Sequence, residues 1–425
     1  MSSIEPGRHH VVIVGGGFAG LYAAKSLANS PVRVTLIDKR NFHLFQPLLY
    51  QVATGNVSPG DVASSLRAVL SRHKNVRVLL AEMLDVVPEE HRVLLSDGEL
   101  VYDTLIVATG VVPHYFGHDA WSQPATGLKT VEDALVMRTR ILGAFEAAER
   151  ETDPDRRRAW MTFVVIGGGS AGVELSGALA ELAHDTLRDD FRNIDPATAQ
   201  VLLLEAADHI LPTFPPQLSA KAQAALSRLG VTIRTRALVT DITENVLTID
   251  QGDHTEKIQA HTILWTAGVR ASPLAQVLAK RTGASLDRLG RVIVEPDLTI
   301  AGHPDILVLG DLASFSYQLE APLPAVAPVA IQEGQYAAKL VGARLRGANS
   351  PPFRYHNRGM LAVIGLNAAV AHLGRLKFAG FVAWLLWIFV HIAYLIGFDN
   401  KVMVMFRWIW NYVTRKRGAR LITGT

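Results

Sequence analysis

Short β-branched runs punctuated by glycines recur along the chain, and one such pattern occurs twice. Residues 11–20 read VVIVGGGFAG, and residues 163–172 read FVVIGGGSAG followed by VEL. Each is an apolar run of strand length, a glycine cluster, then helix-like sequence. The offset is 152 residues, about one domain length. Each half also has a later apolar run that ends in small residues, LIVATG at 105–110 and ILWTAG at 263–268. The predicted fold class is α/β, with two Rossmann-like dinucleotide-binding domains, each a parallel sheet with crossover helices.

The polar stretch ERETDPDRRR at 149–158 reads as the linker between the halves. The expected organisation is a first domain over 1–150, a second over 159–270, a return over 271–350 that completes the first, and a C-terminal region over 351–425. The return carries the strand-like DILVLGD and the helix-like AIQEGQYAAKLVGARL. After the prolines at 351–352 come a strand-rich stretch, an apolar segment and a basic tail.

Gly15, Gly17 and Gly20 form GxGxxG directly after a strand. The first glycine permits the turn, the second admits a pyrophosphate to the backbone, and the third lets helix and strand pack closely. Phosphates are held there by unpaired helix N–H groups and the positive end of the dipole. Asp38 closes VRVTLID 18 residues past Gly20, where a carboxylate would bind an adenosine ribose. Gly167, Gly169 and Gly172 repeat the arrangement, and Glu205 closes the next strand, VLLLE. That acid comes 33 residues after Gly172, with 184–199 read as an extension of the helix and its loop. Its charge would repel a 2′-phosphate and favour NADH over NADPH; a solvated strand-end carboxylate is the alternative. Glu174, in AGVEL, falls on the first turn of a helix, where the dipole alone would favour an acid. No metal-ligand spacing stands out. His9 and His10 are expected to be solvated, and His43 reads equally as a core histidine or a proton relay.

Composition narrows the chemistry. There is no cysteine, which excludes a disulfide framework, thiolate-bound metal and thiol–disulfide catalysis. No secretory signal or transit peptide is read at the start. Charged residues are 19% of the 425 and the mean hydropathy is +0.20. The apolar excess concentrates between Phe378 and Phe398. The net charge of +3 hides an asymmetry: six cations (Lys401, Arg407, Arg415, Lys416, Arg417, Arg420) against Asp399 give 399–425 a charge of +5. A basic tail beside an apolar segment fits anionic lipid better than nucleic acid, for which no recognition motif is present.

With these motifs in hand, nearly the whole chain resembles the type II NADH dehydrogenases, single-subunit NADH:quinone oxidoreductases of respiratory membranes. The resemblance is carried by NFHLFQPLLYQVATG at 41–55, HYFGHDAW at 114–121, LKTVEDALVMRTRILGAFEAAE at 128–149, GGGSAGVELSGALAEL at 167–182 and NYVTRKRGARLI near the C-terminus. It implies the two-dinucleotide-binding flavoprotein fold, with FAD on the first glycine motif and NADH on the second. The FAD contacts it implies are Gly15, Gly17, Phe18, Ala19, Gly20, Asp38, Lys39, Met83, Thr109, Gly110, Gly310 and Asp311. Gly167, Gly169, Gly172, Glu205 and Gly268 would hold NADH. Glu174 becomes the acid near the flavin, and Gln332, with Tyr336 one turn on, the quinone contact. Pro328 stands where many members have a first glutamine, which weakens that last assignment. The implied reaction is hydride transfer from NADH to FAD N5, then two electrons to a membrane quinone, without proton pumping. An NADH-binding flavoprotein scaffold, or a reductase with another acceptor, is the alternative.

Residues 378–398, FAGFVAWLLWIFVHIAYLIGF, are long enough to span a bilayer. Their aromatics recur every three or four residues. In 400–417, Asn400, Arg407, Asn411 and Thr414 form a polar stripe opposite Val402, Phe406, Ile409 and Val413. Amphipathic basic helices lie in the interface rather than cross it. The expectation is C-terminal membrane-anchoring helices, peripheral on the cytoplasmic face of the cell membrane, in a chain that forms a homodimer.

Overall fold

The computed structural model describes residues 7–252, 254–414 and 417–422. The chain opens with strand β1 (His10–Val14), helix α1 (Phe18–Ser26) and β2 (Arg33–Asp38). A short helix α2 (Leu49–Ala53) precedes β3 (Val76–Leu80) and β4 (Thr104–Val107). Then come β5 (Ala125–Gly127), the long helix α3 (Val131–Arg150), β6 (Thr162–Ile166) and α4 (Ser170–Glu181). Strands β7 (Gln200–Leu204), β8 (Val231–Arg234) and β9 (Thr262–Trp265) follow, then β10 (Thr299–Ile300), β11 (His303–Val308) and α5 (Ala327–Leu345). The C-terminal elements are β12 (Met360–Gly365), β13 (Ala368–Leu373), β14 (Leu376–Gly380), α6 (Phe381–Tyr394) and α7 (Phe398–Thr414).

These elements form two compact units. The first takes residues 1–44, 63–112 and 269–357; the second takes 45–62, 113–268 and 358–425. The crossing therefore falls after Val112 rather than in 149–158. That stretch is largely helical: it ends α3, and Asp153 caps a further turn, Pro154–Trp160, by accepting from the Asp155 and Arg156 N–H groups. Thr130 and Asp133 close a capping box at the start of α3, which fixes where that helix begins.

In the first unit the sheet order is β10–β11–β4–β1–β2–β3, parallel except at the β10–β11 edge. The return segment enters this sheet directly, β11 pairing with β4 from Ile306↔Leu105 to Val308↔Val107. Helix α5 lies close on α1: a Cβ at Gly334 would meet the Ala19 carbonyl oxygen at 2.2 Å. Val12, Val14, Ile37, Val107, Ile306 and Val308 fill one core. His9 and His10 serve this unit rather than solvent. His10 is buried, with its ring on Thr35 Oγ1 and the Val101 carbonyl, and burial lowers its pKa to about 4. His9 bonds Thr104 Oγ1.

In the second unit the sheet β5–β9–β6–β7–β8 is parallel throughout. Its core gathers Val164, Ile166, Leu202, Leu204, Ile263 and Trp265. The antiparallel sheet β12–β13–β14 packs on α4, where a Cβ at Gly177 would stand 1.7 Å from the Ile364 carbonyl oxygen. Helix α4 ends at Glu181 in a single π turn (Leu182–Thr186), so 184–199 is mostly turn and loop rather than a longer helix. The apolar run 378–398 is likewise not one element. Gly380 (φ +76°) ends β14 and Gly397 (φ +90°) separates α6 from α7. Among the described residues no helix is long and apolar enough to cross a membrane.

Candidate functional site

The two glycine turns are built alike, residue for residue. In the first unit the Gly15 N–H donates to the Ile37 carbonyl at 2.8 Å; in the second, Gly167 donates to Leu204 at 2.8 Å. Gly15 and Gly167 both hold positive φ, +106° and +105°. A Cβ at Gly20 would lie 1.9 Å from the Gly15 oxygen, and at Gly172 1.8 Å from the Gly167 oxygen. Gly17 and Gly169, by contrast, face open space. Each turn thus packs tightly on its protein side and leaves its middle glycine free at the N-terminus of a helix, where a pyrophosphate fits.

The strand-end acids brace these turns. Asp38 accepts the Gly16 N–H at 2.5 Å and the Arg40 N–H at 2.7 Å. Burial raises its pKa, against the pull of those two bonds. Glu205 accepts from Gly168 at 2.6 Å and from Ala207 at 2.8 Å. A carboxylate has about four acceptor sites, so each acid keeps capacity for a ribose hydroxyl. Beside the first turn, His43 is buried with Nδ1 on the Gly16 carbonyl at 2.9 Å and its ring edge against Phe18. Burial lowers its pKa to about 4, so it is neutral at neutral pH. Its Nε2 is buried and has no partner among the described residues, a polar atom placed to suit a bound dinucleotide.

Other expected contacts separate into cradle and framework. Thr109 Oγ1 bonds Ser272 Oγ at 2.6 Å, and Gly110 takes φ +67° with open space around it. Lys39 is exposed and pairs with Glu82 at 3.3 Å. The Met83 side chain packs in the core with Val12 and Ile37, so any ligand contact there would fall to its backbone. Gly268 is required by Phe116, whose ring would meet a Cβ there at 2.6 Å. Gly310 and Asp311 form a single turn whose first N–H donates to Glu333, a carboxyl the sequence reading passed over. Glu333 is buried, which pushes its pKa to about 8, with Asp311 adding to the rise.

The residues expected to meet quinone carry hydrogen bonds to the backbone that follows α5. Both ends of the Gln332 amide bind the His356 backbone, each at 3.0 Å. Tyr336 donates its hydroxyl to the Pro351 carbonyl at 2.7 Å. Together they pin the segment after α5, a task that spacing along the sequence does not reveal.

Glu174, in contrast, lines a cavity of about 460 Å³ within the second unit. Tyr50, Glu174 and Trp387 stand buried in its wall; Phe381, Leu385, Met405 and Ile409 line it and are also exposed. The cavity therefore has a buried part with polar groups and an exposed part that is largely the apolar rim of α6 and α7, with Asp185 also exposed on its wall. Burial pushes the Glu174 pKa to about 8, outweighing the Val363 N–H at 3.3 Å. Near neutrality this carboxyl carries a proton. Arg417 joins the same wall, buried, donating to the Thr54 carbonyl at 3.2 Å and lying 3.5 Å from Glu181.

The basic tail is thus partly internal. Arg407 pairs with Asp61 at 3.0 Å, Arg420 with Asp190, and Lys401 donates to the Ala393 carbonyl at 2.9 Å. Arg415 and Lys416 lie outside the described residues.

Two dinucleotide cradles on parallel sheets define a nucleotide-dependent oxidoreductase of the two-domain flavoprotein class. Residues 9–334 match the pyridine nucleotide-disulphide oxidoreductase family model. The chain is 46% identical to the type II NADH:quinone oxidoreductase NdhA of Mycobacterium tuberculosis, over all of this chain and 92% of that one. It is 44% identical to Ndh of the same organism, over 98% and 91%. Its fold superposes on NDH2 from Plasmodium falciparum, solved with NADH, with a TM-score of 0.89 at 20% identity, covering 98% of this chain and 100% of that one. The chain belongs to the type II NADH:quinone oxidoreductases.

The Glu174 carboxyl makes stability pH-dependent in a defined direction. Its pKa is raised from 4.5 to about 8 on folding, so the folded state holds the proton more tightly and stability falls as pH rises between those values. Glu174→Gln removes this dependence. Its unfolding midpoint should gain on the wild type from pH 5 to pH 9, by up to about 4 kcal/mol at about 1.4 kcal/mol per unit. Parallel curves for the two proteins across that range would show that the acid is not held neutral.

Proposed function

We propose that the chain oxidises NADH with a lipid-soluble quinone as final acceptor, and that the quinone head group enters the second-unit cavity beside Glu174. The overall reaction is NADH + H⁺ + quinone → NAD⁺ + quinol, the activity of its family. When bound, FAD supplies the two-electron relay between the substrates. The chain's part is to hold, orient and protonate. The turn at Gly15–Gly20, with Asp38, suits FAD; the turn at Gly167–Gly172, with Glu205, suits NADH. The absence of cysteine removes sulfur chemistry as a competing task for this fold.

The observation that carries the quinone assignment is the change of character along one cavity. A quinone has a polar ring and an apolar tail. The wall offers a buried carboxyl and phenol at one part and the apolar rim of α6 and α7 at another. Its size is typical of small-molecule sites. Protonated Glu174 can hydrogen-bond a reduced oxygen or give it a proton, which a carboxylate could not do.

The same helices suit a peripheral membrane contact, here on the cytoplasmic face. The polar stripe of α7 turns inward, with Asn411 on Asn56 and Arg407 on Asp61. The opposite stripe is bare: Phe406 is 61% exposed and Val413 74%, and Phe389 of α6 is 72% exposed. Exposed apolar patches of this kind mark binding surfaces, and amphipathic helices bury such faces at the lipid boundary. A second copy of the chain is the competing partner for this face.

Stopped-flow measurement tests the assignments. NADH should reduce the bound flavin at least tenfold faster than NADPH, and Glu205→Gln should narrow that ratio about tenfold by removing a repelling charge; an unchanged ratio would free Glu205 of that role. Ile388→Trp, which fills the cavity from α6, should slow reoxidation by quinone about tenfold or more. Full quinone turnover in that variant would place the quinone elsewhere. Phe389→Glu combined with Val413→Glu should lower binding to anionic vesicles about tenfold. If binding persists and the sedimenting mass halves instead, the face serves a dimer.

A further inference from the structure

The cavity wall contains a hydrogen-bond chain that can run in only one direction. Trp408 Nε1 lies 2.8 Å from Gln51 Oε1, and Gln51 Nε2 lies 2.9 Å from the Tyr50 hydroxyl. Indole N–H is a donor and never an acceptor, so the atom of Gln51 facing it must be the carbonyl oxygen. The amide's other end is then NH₂, again only a donor. The Tyr50 oxygen is therefore the acceptor, and its own hydrogen must be used elsewhere. Among the described residues the Tyr50 hydroxyl has no acceptor, although the residue is buried and lines the cavity. A buried O–H left without a partner costs about 1–3 kcal/mol, which a ligand oxygen in the cavity would recover.

We propose that Tyr50, oriented by Gln51 and Trp408, donates its hydrogen bond to a carbonyl oxygen of the quinone head group. This rests on the reading of the cavity as the quinone site. As electrons arrive, negative charge grows on that oxygen, so a fixed donor there binds the reduced state more strongly than the oxidised one. Burial, with Glu174 next, drives the Tyr50 pKa well above its usual value. The phenol therefore stays a donor across the working pH range. Tyr50 and Glu174 share the polar part of the wall, and a ring with two carbonyls presents an acceptor to each.

The direction of the chain provides the test. Tyr50→Phe removes the donor. Gln51→Glu keeps the size of the side chain but replaces the NH₂ with a second acceptor, which would capture the Tyr50 hydrogen and reverse the chain. Reduced enzyme is mixed with a short-chain naphthoquinone, and separately with ferricyanide, an acceptor without a carbonyl. Both variants should lower the ratio of quinone to ferricyanide reoxidation rates by about tenfold or more, within the range of losing one such donor. Trp408→Phe, which frees the amide to turn over, should give a smaller loss of the same kind. A ratio within twofold of wild type in Tyr50→Phe would overturn the donor role. The cavity reading is judged apart, by Ile388→Trp: if that variant blocks quinone while Tyr50→Phe does not, the site stands and the donor falls. If Ile388→Trp reduces quinone freely, both fall. Should Tyr50→Phe lose its flavin or melt early, the ratio in Gln51→Glu decides.

Discussion

A carboxylate at the end of the second strand, accepting a glycine N–H from the first, is the contact on which both nucleotide cradles depend. Asp38 holds Gly16, and Glu205 holds Gly168. The glycine turn has no side chains with which to keep its shape, and its middle residue must stay open to a ligand. Without an internal brace its N–H groups would be free to wander. Charge-assisted bonds of this kind are roughly twice as strong as neutral ones. The brace also sets the register between the two strands at the point where ribose and phosphate would meet, so one side chain shapes the turn and remains available to the ligand. Helix and strand then close around it at Gly20 and Gly172, where a methyl group would overlap backbone oxygen.

The second-unit cavity obeys a different rule. It holds the buried carboxyl of Glu174, the half-buried one of Glu181, a phenol and a guanidinium in a wall that also carries three tryptophans, two leucines and three isoleucines. Polar groups are costly there unless neutral or paired. Each is accommodated separately: Glu174 by keeping its proton, Arg417 by Glu181 and the Thr54 carbonyl, Gln51 by Trp408 and Tyr50. Such an arrangement suits a ligand that alternates between accepting and donating hydrogen bonds as it changes redox state. A wholly apolar pocket would bind the tail of a quinone and ignore its ring.

The cradles were legible in the sequence because every part of them is local. Strand, glycine turn, helix and acid follow one another within 29 residues in the first unit, His10 to Asp38, and the second repeats the order with a longer loop. The cavity was not legible, because α2, α4, β12, α6, α7 and Arg417 reach it from distant parts of the chain. Only Glu174 was singled out, through the family pattern. The bonds that Gln332 and Tyr336 make to the backbone of His356 and Pro351 likewise leave no trace in local spacing. The apolar run 378–398 looked continuous because hydropathy does not register the positive φ of Gly380 and Gly397.

The tail shows how the charge of a segment and the charge of a surface can diverge. Six cations in the last 27 residues suggest attraction to anionic lipid. In the folded chain Arg407, Arg417 and Arg420 face carboxylates of Asp61, Glu181 and Asp190, and Arg417 is buried. Their work is to fasten α7 and the strand of chain after it onto the second unit, with Ala419 donating to the Gly55 carbonyl at 3.2 Å. This fastening turns the polar stripe of α7 inward, which leaves its apolar stripe outward. If this face meets a membrane as proposed, Arg407, Arg417 and Arg420 serve that contact by orienting the helix. Membrane affinity should then depend more on the exposed apolar side chains than on ionic strength, since salt screens surface charge strongly and buried pairs much less.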